Sequence, residues 1–459
     1  FLQSSTSANN RGDNDTAATR SDPNPPGTNE TKEPPFVSEN PSTPKFRLFY
    51  NDVYEVPLPP RHRFPMGKYR KVRERVQDAM SSKLPRETRE SVECDFRVSP
   101  LSTFEELSTT HDPTYIQRFL EGDQTDLEQR NVGFPWSREG VDRALSSVGG
   151  TLAAACFVCD EERTRRNRRR DDAERRDDVP AWAAHIAGGT HHAFYDYGEG
   201  FSVFSDMAVA ANVVLERYPD VIENNILMID LDVHQGNGNA VLFQQQQTEE
   251  LQACVDGGEG GGSRFADRVF TFSMHCAGNY FSPKQQSDLD IELPIGCKDQ
   301  AYLMTLNHWL KRFRVEHHKQ EQRDEVACVA ASNYNSSSAT TSTGGQEEQT
   351  PPKKTEGQQQ QNKKTRWDLI IFQAGVDVLD DDRLGRMALT PKGVSRRNDL
   401  VYEFARDLGV PLVVCMGGGY PKKDDAWESI LHTHSEVYMG AHRFLGREYK
   451  PSAAREEKR

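Results

Sequence analysis

Residues 226–238 read ILMIDLDVHQGNG, and this stretch decides the fold. The apolar run that opens it is short and flanked by polar sequence, which predicts a strand buried on both faces. Asp230, Asp232 and His234 follow at every second position, and alternate residues of an extended chain point the same way. The stretch therefore predicts two metal ligands at the carboxyl end of a central strand. The alternative is a polar turn whose Asp and His side chains are only hydrogen-bonded structural groups.

The overall composition indicates one large intracellular domain with insertions. The chain has 459 residues and a net charge of −13, which argues against a general nucleic-acid-binding protein because such a protein needs positive charge to meet phosphate. Eight cysteines, mostly isolated in apolar runs, indicate a reducing compartment rather than a disulfide framework.

No apolar stretch approaches the ~20 residues that cross a bilayer, so we expect a soluble protein of the nucleus or cytoplasm. Localisation in an organelle is the alternative, because the chain begins with Phe1, which suggests missing upstream residues.

Polar, low-complexity segments give the expected boundaries. Residues 1–44 are rich in Ser, Thr, Asn, Pro and Gly and predict a disordered tail. A folded domain is expected over residues 45–445, and a charged tail over 446–459. Insertions within the domain are expected at about 160–180, 244–264 and 317–366. We expect the last one to be disordered, because it far exceeds the ~12 to 15 residues of an ordinary loop. The first balances Arg against Asp and Glu, so it predicts a solvated insertion or a helix extension.

Strand and helix patterns alternate through the folded domain. Short apolar runs are followed by Gly-rich or acidic loops, and amphipathic helices lie between them. This alternation predicts an α/β fold, a three-layer sandwich with a central parallel sheet and right-handed crossovers. Ligands bind beyond the carboxyl ends of the strands in such sheets.

Three more loops of this kind carry chemically active residues. One reads GGTHH over residues 188–192, although two surface histidines are the alternative reading. The loop from Gly375 to Gly385 supplies a further acid within residues 380–382, and the last loop ends in GGGY at Tyr420.

Together these motifs resemble those of the zinc-dependent histone deacetylase family. GGTHH, DLDVHQGNG, GVDx5RLG and GGGY occur in the family's order, and the resemblance covers residues 45–445 apart from the insertions. The wording HQGNG and RLG is more similar to class IV and bacterial-type members than to class I enzymes. The resemblance implies an arginase/deacetylase-like fold. It also implies removal of acetyl or longer acyl groups from lysine side chains of histones or other proteins.

The resemblance also implies the metal ligands. Asp232, His234 and Asp382 would hold Zn²⁺, and Asp382 is chosen over its two acidic neighbours because it alone directly precedes Arg-Leu-Gly. Three protein ligands leave the ion an open position, where the pKa of water falls from ~15.7 toward ~7. A structural K⁺ near His275 is implied as well.

Further roles follow from the same resemblance. His192 corresponds to the general base and acid, His191 to its electrostatic partner, and Asp230 to the acid behind His191. Tyr420 would polarise the carbonyl, and Asn237 stands where class I enzymes have an Asp behind the second His. The acyl-lysine tunnel would be lined by Gly200, Phe201, Tyr280 and Phe281.

Several alternatives remain open at this point. An acetylpolyamine hydrolase or a long-chain deacylase would use the same catalytic set, and an inactive acyl-lysine-binding scaffold would retain the pocket. Arginase-type dimetal sites resemble Asp-x-His-x-Asp, whereas Gly236 follows Gln235 here, which favours one metal. The expected partner is an acyl-lysine protein or peptide, histone tails included, and the oligomeric state is left open.

Overall fold

The computed structural model describes residues 46–59, 62–81, 95–171, 179–244, 265–280, 282–338, 365–423 and 427–446. Its strands are β1 (Phe46–Tyr50), β2 (Phe96–Val98), β3 (Trp182–His185), β4 (Asn225–Asp230), β5 (Val269–Cys276), β6 (Leu289–Leu293), β7 (Trp367–Gln373) and β8 (Leu412–Cys415). They form one sheet in the order β2-β1-β3-β8-β7-β4-β5-β6, and each neighbouring pair is parallel. The predicted central parallel sheet is confirmed.

Helices cover both faces of this sheet. They are α1 (Lys68–Ser81), α2 (Phe104–Ser108), α3 (Pro113–Glu121), α4 (Asp126–Val132), α5 (Arg138–Asp171), α6 (Asp206–Arg217), α7 (Asn237–Leu242), α8 (Asp299–Ser338), α9 (Pro391–Leu408) and α10 (Glu428–Leu445). Helices α1, α8, α9 and α10 contribute to one hydrophobic core, and α2 to α7 contribute to the other. The fold is therefore the predicted three-layer sandwich.

The central strand β4 shows why the sheet is buried on both sides. Leu227 and Ile229 enter one core, whereas Ile226 and Met228 enter the other. All four side chains are buried, because successive residues of a strand point to opposite faces. An unbroken apolar run is thus the pattern that a doubly covered strand needs.

Helix ends follow local sequence signals. Helix α9 begins with Pro391 after Thr390, whose side chain accepts a hydrogen bond from the Gly393 N–H at 3.0 Å. It ends at Gly409, which adopts the left-handed conformation with φ of 66°. Thr-Pro at the start and Gly at the stop are ordinary sequence signals for the ends of a helix.

Helix α5 corrects one sequence expectation. Its span Arg138–Arg170 is long and apolar enough to cross a membrane by length and composition alone, contrary to our reading that no stretch approached this limit. Of its most apolar 18-residue window, 67% is buried inside the domain. Val148, Leu152 and Val158 pack into the core that α6 shares, which is the packing of a central helix in a folded domain.

Two of the three expected insertions are partly helical. Helix α5 continues to Asp171, so the first insertion is a helix extension over residues 160–171. Helix α8 continues to Ser338, so the expectation of disorder is wrong for residues 317–338. His317 is buried and its ring stacks on Trp367 with 5.6 Å between centroids, which ties α8 to the start of β7. The tail 1–44, residues 172–178, 245–264 and 339–364, and the tail from 447 lie outside the described residues.

A buried histidine makes the stability of this fold sensitive to acid. His111 Nδ1–H donates to the Phe194 carbonyl oxygen at 2.8 Å, and its Nε2 accepts from the Ser205 N–H at 2.9 Å. Burial lowers the pKa of His111 to about 4. The unfolded chain binds the proton near pH 6.5 and the folded chain does not, so this stabilisation is complete above pH 6.5 and is lost as pH falls toward 4.

We expect His111→Gln to lower the free energy of unfolding at pH 7 by about 1 to 3 kcal/mol, because a buried hydrogen-bonded group is replaced. In the wild type, His111 contributes up to about 1.4 kcal/mol per pH unit to the fall of the free energy of unfolding in acid. The variant should lack this contribution. Urea unfolding of both proteins between pH 7 and pH 4.5 measures this. Parallel pH dependences for the two proteins would exclude His111 as the source.

Candidate metal centre and active site

Two neighbouring strands deliver the candidate metal ligands to one point. Strands β4 and β7 are paired with Asp230 beside Gln373, so the loops that follow them start side by side. The potential ligand atoms of Asp232, His234 and Asp377 all lie within 4.8 Å of one another. His234 Nδ1 is 3.1 Å from Asp232 Oδ1 and 3.3 Å from Asp377 Oδ2.

The third member of this cluster is Asp377, and it replaces Asp382 of our sequence analysis. The Asp382 carboxylate accepts hydrogen bonds from the backbone N–H groups of Leu384 at 2.7 Å and Gly385 at 2.8 Å. Its other oxygen accepts from the Tyr420 N–H at 2.6 Å. Asp382 therefore organises the loop around the site. The choice of Asp382 relied on its neighbours in the sequence, whereas closeness to the end of β7 favours Asp377.

The cluster has the properties of a cation site. Asp377 is fully buried, and its Oδ2 receives no hydrogen bond of normal geometry from any described residue. Burial and the charge of Asp232 raise the pKa of Asp377 to about 6. Burial and the charge of Asp377 raise the pKa of Asp382 to about 7. Two neighbouring carboxylates and an imidazole are a ligand set that fits a divalent ion such as Zn²⁺, and the carboxylate oxygen that lacks a hydrogen bond could bind it.

Two buried cations hold the loops of this site. Arg397 donates to the carbonyl oxygens of Leu231 at 3.0 Å and Gly375 at 2.6 Å, which joins the loops after β4 and β7. Lys68 Nζ donates to the carbonyl oxygen of Gly417 at 3.0 Å, in the loop that carries Tyr420. Neither residue belongs to the sequence motifs of the predicted site. The available signal was an arginine on the buried face of α9, between Val394 and Val401.

The adjacent histidines occupy different electrostatic environments. His191 Nδ1 is 2.6 Å from Asp230 Oδ2, and the two imidazole rings lie 4.0 Å apart. Burial lowers the pKa of His191, but the charges of Asp230 and Asp232 outweigh it and raise the pKa to about 9. Burial and the charge of His191 bring the pKa of His192 well below its ordinary value. The surrounding charges therefore favour a proton on His191 and the neutral form of His192.

Hydrogen bonds select the tautomer of His192. Its Nδ1 is 2.7 Å from Asn237 Oδ1, and the Asn237 side-chain amide donates to Glu199 Oε2 at 3.2 Å. A carboxylate only accepts, so the amide nitrogen of Asn237 must face Glu199 and its oxygen must face His192. The Gly238 N–H, which donates to Asn237 Oδ1 at 3.1 Å, favours the same orientation. His192 consequently carries its hydrogen on Nδ1 and presents the Nε2 lone pair to the pocket.

Glu199 is a further site residue, outside the set that the sequence motifs predict. It is buried, and it lies in the GEG segment of residues 198–200, directly before the expected tunnel wall. An acid in a Gly-rich loop close to the paired histidines was the available signal.

A single pocket joins the remaining residues. His192, His234 and Tyr420 line the same cavity, together with Phe201. The Tyr280 ring stacks on His192 with 4.5 Å between centroids and 12° between planes. Burial and the charge of Asp377 raise the pKa of Tyr420 well above its ordinary value, so its hydroxyl stays protonated. Phe281 lies outside the described residues.

One wall of the pocket has an unusual backbone. Gly200 and Phe201 have φ of 55° and 67°. A Cβ on Gly200 would lie 2.6 Å from the Tyr280 hydroxyl oxygen, so only glycine fits there. The N–H groups of Gly200 and Phe201 donate to the carbonyl oxygens of Asn131 at 3.0 Å and Val132 at 2.8 Å. These bonds attach the wall to the end of α4.

The K⁺ that we expected near His275 stays a prediction. His275 is buried, and its Nδ1 lies 2.9 Å from the Ser273 hydroxyl oxygen.

Comparison with known proteins gives a consistent family. A family model described as a histone deacetylase domain matches residues 62–435. An uncharacterised protein of the cyanobacterium Picosynechococcus is 29% identical over 403 residues, which cover 86% of this chain and 98% of that protein. Histone deacetylase 2 of Arabidopsis thaliana is 24% identical over 64% of this chain and 52% of its own length. The acetoin utilization protein AcuC of Bacillus subtilis is 30% identical over 40% of this chain and 39% of its own length.

A solved structure shows the same fold. The crystal structure of the HDA15 HD domain matches with a TM-score of 0.50 and 18% identity, over 89% of this chain and 90% of that one.

We expect Asp377→Asn to weaken Zn²⁺ binding at least about 100-fold, because even outer-shell partners of a metal cost about 10- to 100-fold. Asp382→Asn is the matched control and should cost no more than about 10-fold, since its carboxylate holds backbone amides. Competition titration against a chromogenic zinc chelator measures both constants. A larger loss for Asp382→Asn than for Asp377→Asn would restore Asp382 as the ligand.

Proposed function

The chain belongs to the histone deacetylase family, which supports hydrolase activity on amides, and we propose that it is a zinc-dependent enzyme that removes acetyl or longer acyl groups from protein lysine side chains. The acyl-lysine side chain would enter the pocket past Phe201 and Tyr280. Its amide would then lie between the metal cluster, His192 and Tyr420.

One observation carries the proposal. In the buried cluster Asp232, His234 and Asp377, one carboxylate oxygen of Asp377 receives no hydrogen bond of normal geometry from the described residues, and the cluster opens into the cavity that His192 and Tyr420 also line. A binding scaffold needs the cavity, but it has no use for a general base with a selected tautomer beside a cation site. The arrangement therefore favours catalysis over binding alone.

Proton transfer falls to His192. Its Nδ1–H is engaged with Asn237, so the Nε2 lone pair is the free base in the pocket. Nε2 would take a proton from the attacking water and later give it to the departing lysine amine. His191 lies beside His192, and the Asp230 carboxylate favours its protonated form, which would place positive charge next to this step.

Stabilisation of the oxyanion falls to Tyr420. Its hydroxyl remains protonated, so it can donate to the oxygen of the tetrahedral intermediate. Asp382 fixes the Tyr420 backbone, and Lys68 fixes the loop before it. Asp232, His234 and Asp377 would hold a divalent ion, which would supply Lewis-acid chemistry to the site.

A fluorogenic acetyl-lysine peptide tests this function. We expect turnover to stop on removal of the metal with a chelator and to return with Zn²⁺. Tyr420→Phe should retain zinc and lose about 10² to 10³ in kcat, the usual effect of one oxyanion donor. Zinc content by mass spectrometry of the intact protein is the control. Chelator-resistant turnover, or a near-normal kcat for Tyr420→Phe, would contradict the mechanism.

A second variant tests how Glu199 acts through Asn237. Glu199→Gln preserves shape but replaces an acceptor-only group with one that can also donate, so the Asn237 amide loses its unique orientation. Loss of about 1 kcal/mol from one hydrogen bond predicts a kcat roughly fivefold lower, with KM little changed.

Asn237→Asp provides the matched background, because a carboxylate at position 237 has no amide orientation to select. Glu199→Gln should be neutral or favourable there, since it also removes a repulsion between two carboxylates. The same fivefold loss in both backgrounds would show that Glu199 contributes through packing instead.

A further inference from the structure

The exposed end of the active-site cavity carries positive charge from three segments of the chain. Arg63 lies in the loop before α1, Arg130 on α4, and Arg386 in the loop before α9. All three are exposed, and all line the cavity that reaches His192 and Tyr420. We call these three arginines the basic rim.

The charge of the basic rim is not neutralised within the part of the chain that the structure describes. Arg386 donates to the Gly278 carbonyl oxygen at 3.2 Å, and Arg383 adds a further cation by donating to the Arg63 carbonyl oxygen at 3.1 Å. Among the described residues, no Asp or Glu lines the outer part of the cavity, where the rim arginines lie, and none forms an ion pair with their guanidinium groups. The acid one turn before Arg130, Asp126, is not paired with it.

The basic rim stands out against a chain of net charge −13. At the bottom of the pocket the carboxylates of Asp232 and Asp377 are buried, so they face the metal position rather than the mouth. A peptide bound with its acyl-lysine inserted places the flanking residues at the mouth. Their charges would then face the rim arginines, and charges interact over ~8 Å at physiological salt.

We propose that the basic rim selects acyl-lysine sites flanked by acidic residues and discriminates against basic substrates. Guanidinium groups bind carboxylates with a matching fork of N–H donors, and they repel Lys, Arg and protonated amines. Acetylated polyamines and Arg- and Lys-rich tails of the histone type are therefore disfavoured. This inference rests on the proposed deacylase function of the same pocket.

Three matched peptides test the selection. Each contains one acetyl-lysine, with two Asp, two Ser or two Arg residues on either side. Because an exposed charge pair changes a rate by only about 1.5- to 5-fold, three rim arginines predict a kcat/KM ratio of about 10 for the acidic over the basic peptide at low salt. The ratio should fall toward 1 as NaCl is raised to about 1 M, where screening shortens to ~3 Å.

Charge reversal at the rim supplies the decisive comparison. Arg386→Glu should lower the acidic-to-basic ratio at least threefold, whereas Lys311→Glu, an equal charge change at an exposed position of α8 outside the cavity, should leave the ratio unchanged. A wild-type ratio of 1 or below, or equal effects of the two variants, would overturn the proposal. If no peptide is hydrolysed, the proposed function fails, and fluorescence anisotropy of the labelled peptides still ranks their binding.

Discussion

The site depends on one buried interaction, in which the guanidinium of Arg397 joins the loops that leave β4 and β7. Its N–H groups donate to the carbonyl oxygens of Leu231, Ala374 and Gly375. Removing such a charge from water costs several kcal/mol unless its donors are satisfied, so these carbonyl positions are tightly constrained. Asp232 directly follows Leu231, and Asp377 follows Gly375 by two residues. Helix α9, which lies on one face of the sheet and carries Arg397, therefore keeps the two carboxylates close together.

Periodicity along the chain was sufficient to predict the sheet, because an apolar run such as 226–229 has few stable environments other than a doubly covered strand. It also located the loops with chemically active residues, since all of them follow such runs. It was insufficient to choose between Asp377 and Asp382. Both lie in one acidic loop, and the choice depends on which carboxylate turns toward His234 and which accepts backbone N–H groups. That is a property of the folded loop rather than of residue order.

The composition of the long insertion predicts disorder, and this prediction is wrong for residues 317–338 for a related reason. Residues 317–338 look too polar to order themselves, yet they continue α8. His317 stacks on Trp367, and Arg366 pairs with Asp324 at 2.8 Å, so the helix gains contacts with the start of β7 that composition does not register. Glu199 is not predictable from the sequence for the same reason. It acts by accepting a hydrogen bond from the Asn237 amide, and the two residues meet only in the folded chain.

The left-handed conformation of Phe201 has a mechanical consequence for the pocket. A non-glycine residue with φ of 67° costs of order 1 kcal/mol or more, and it is retained because its N–H is bonded to the end of α4. The backbone of this wall and the end of α4 are thus mechanically coupled. Any displacement of the wall backbone has to carry the end of that helix with it, so this side of the pocket is stiffer than a free loop would be.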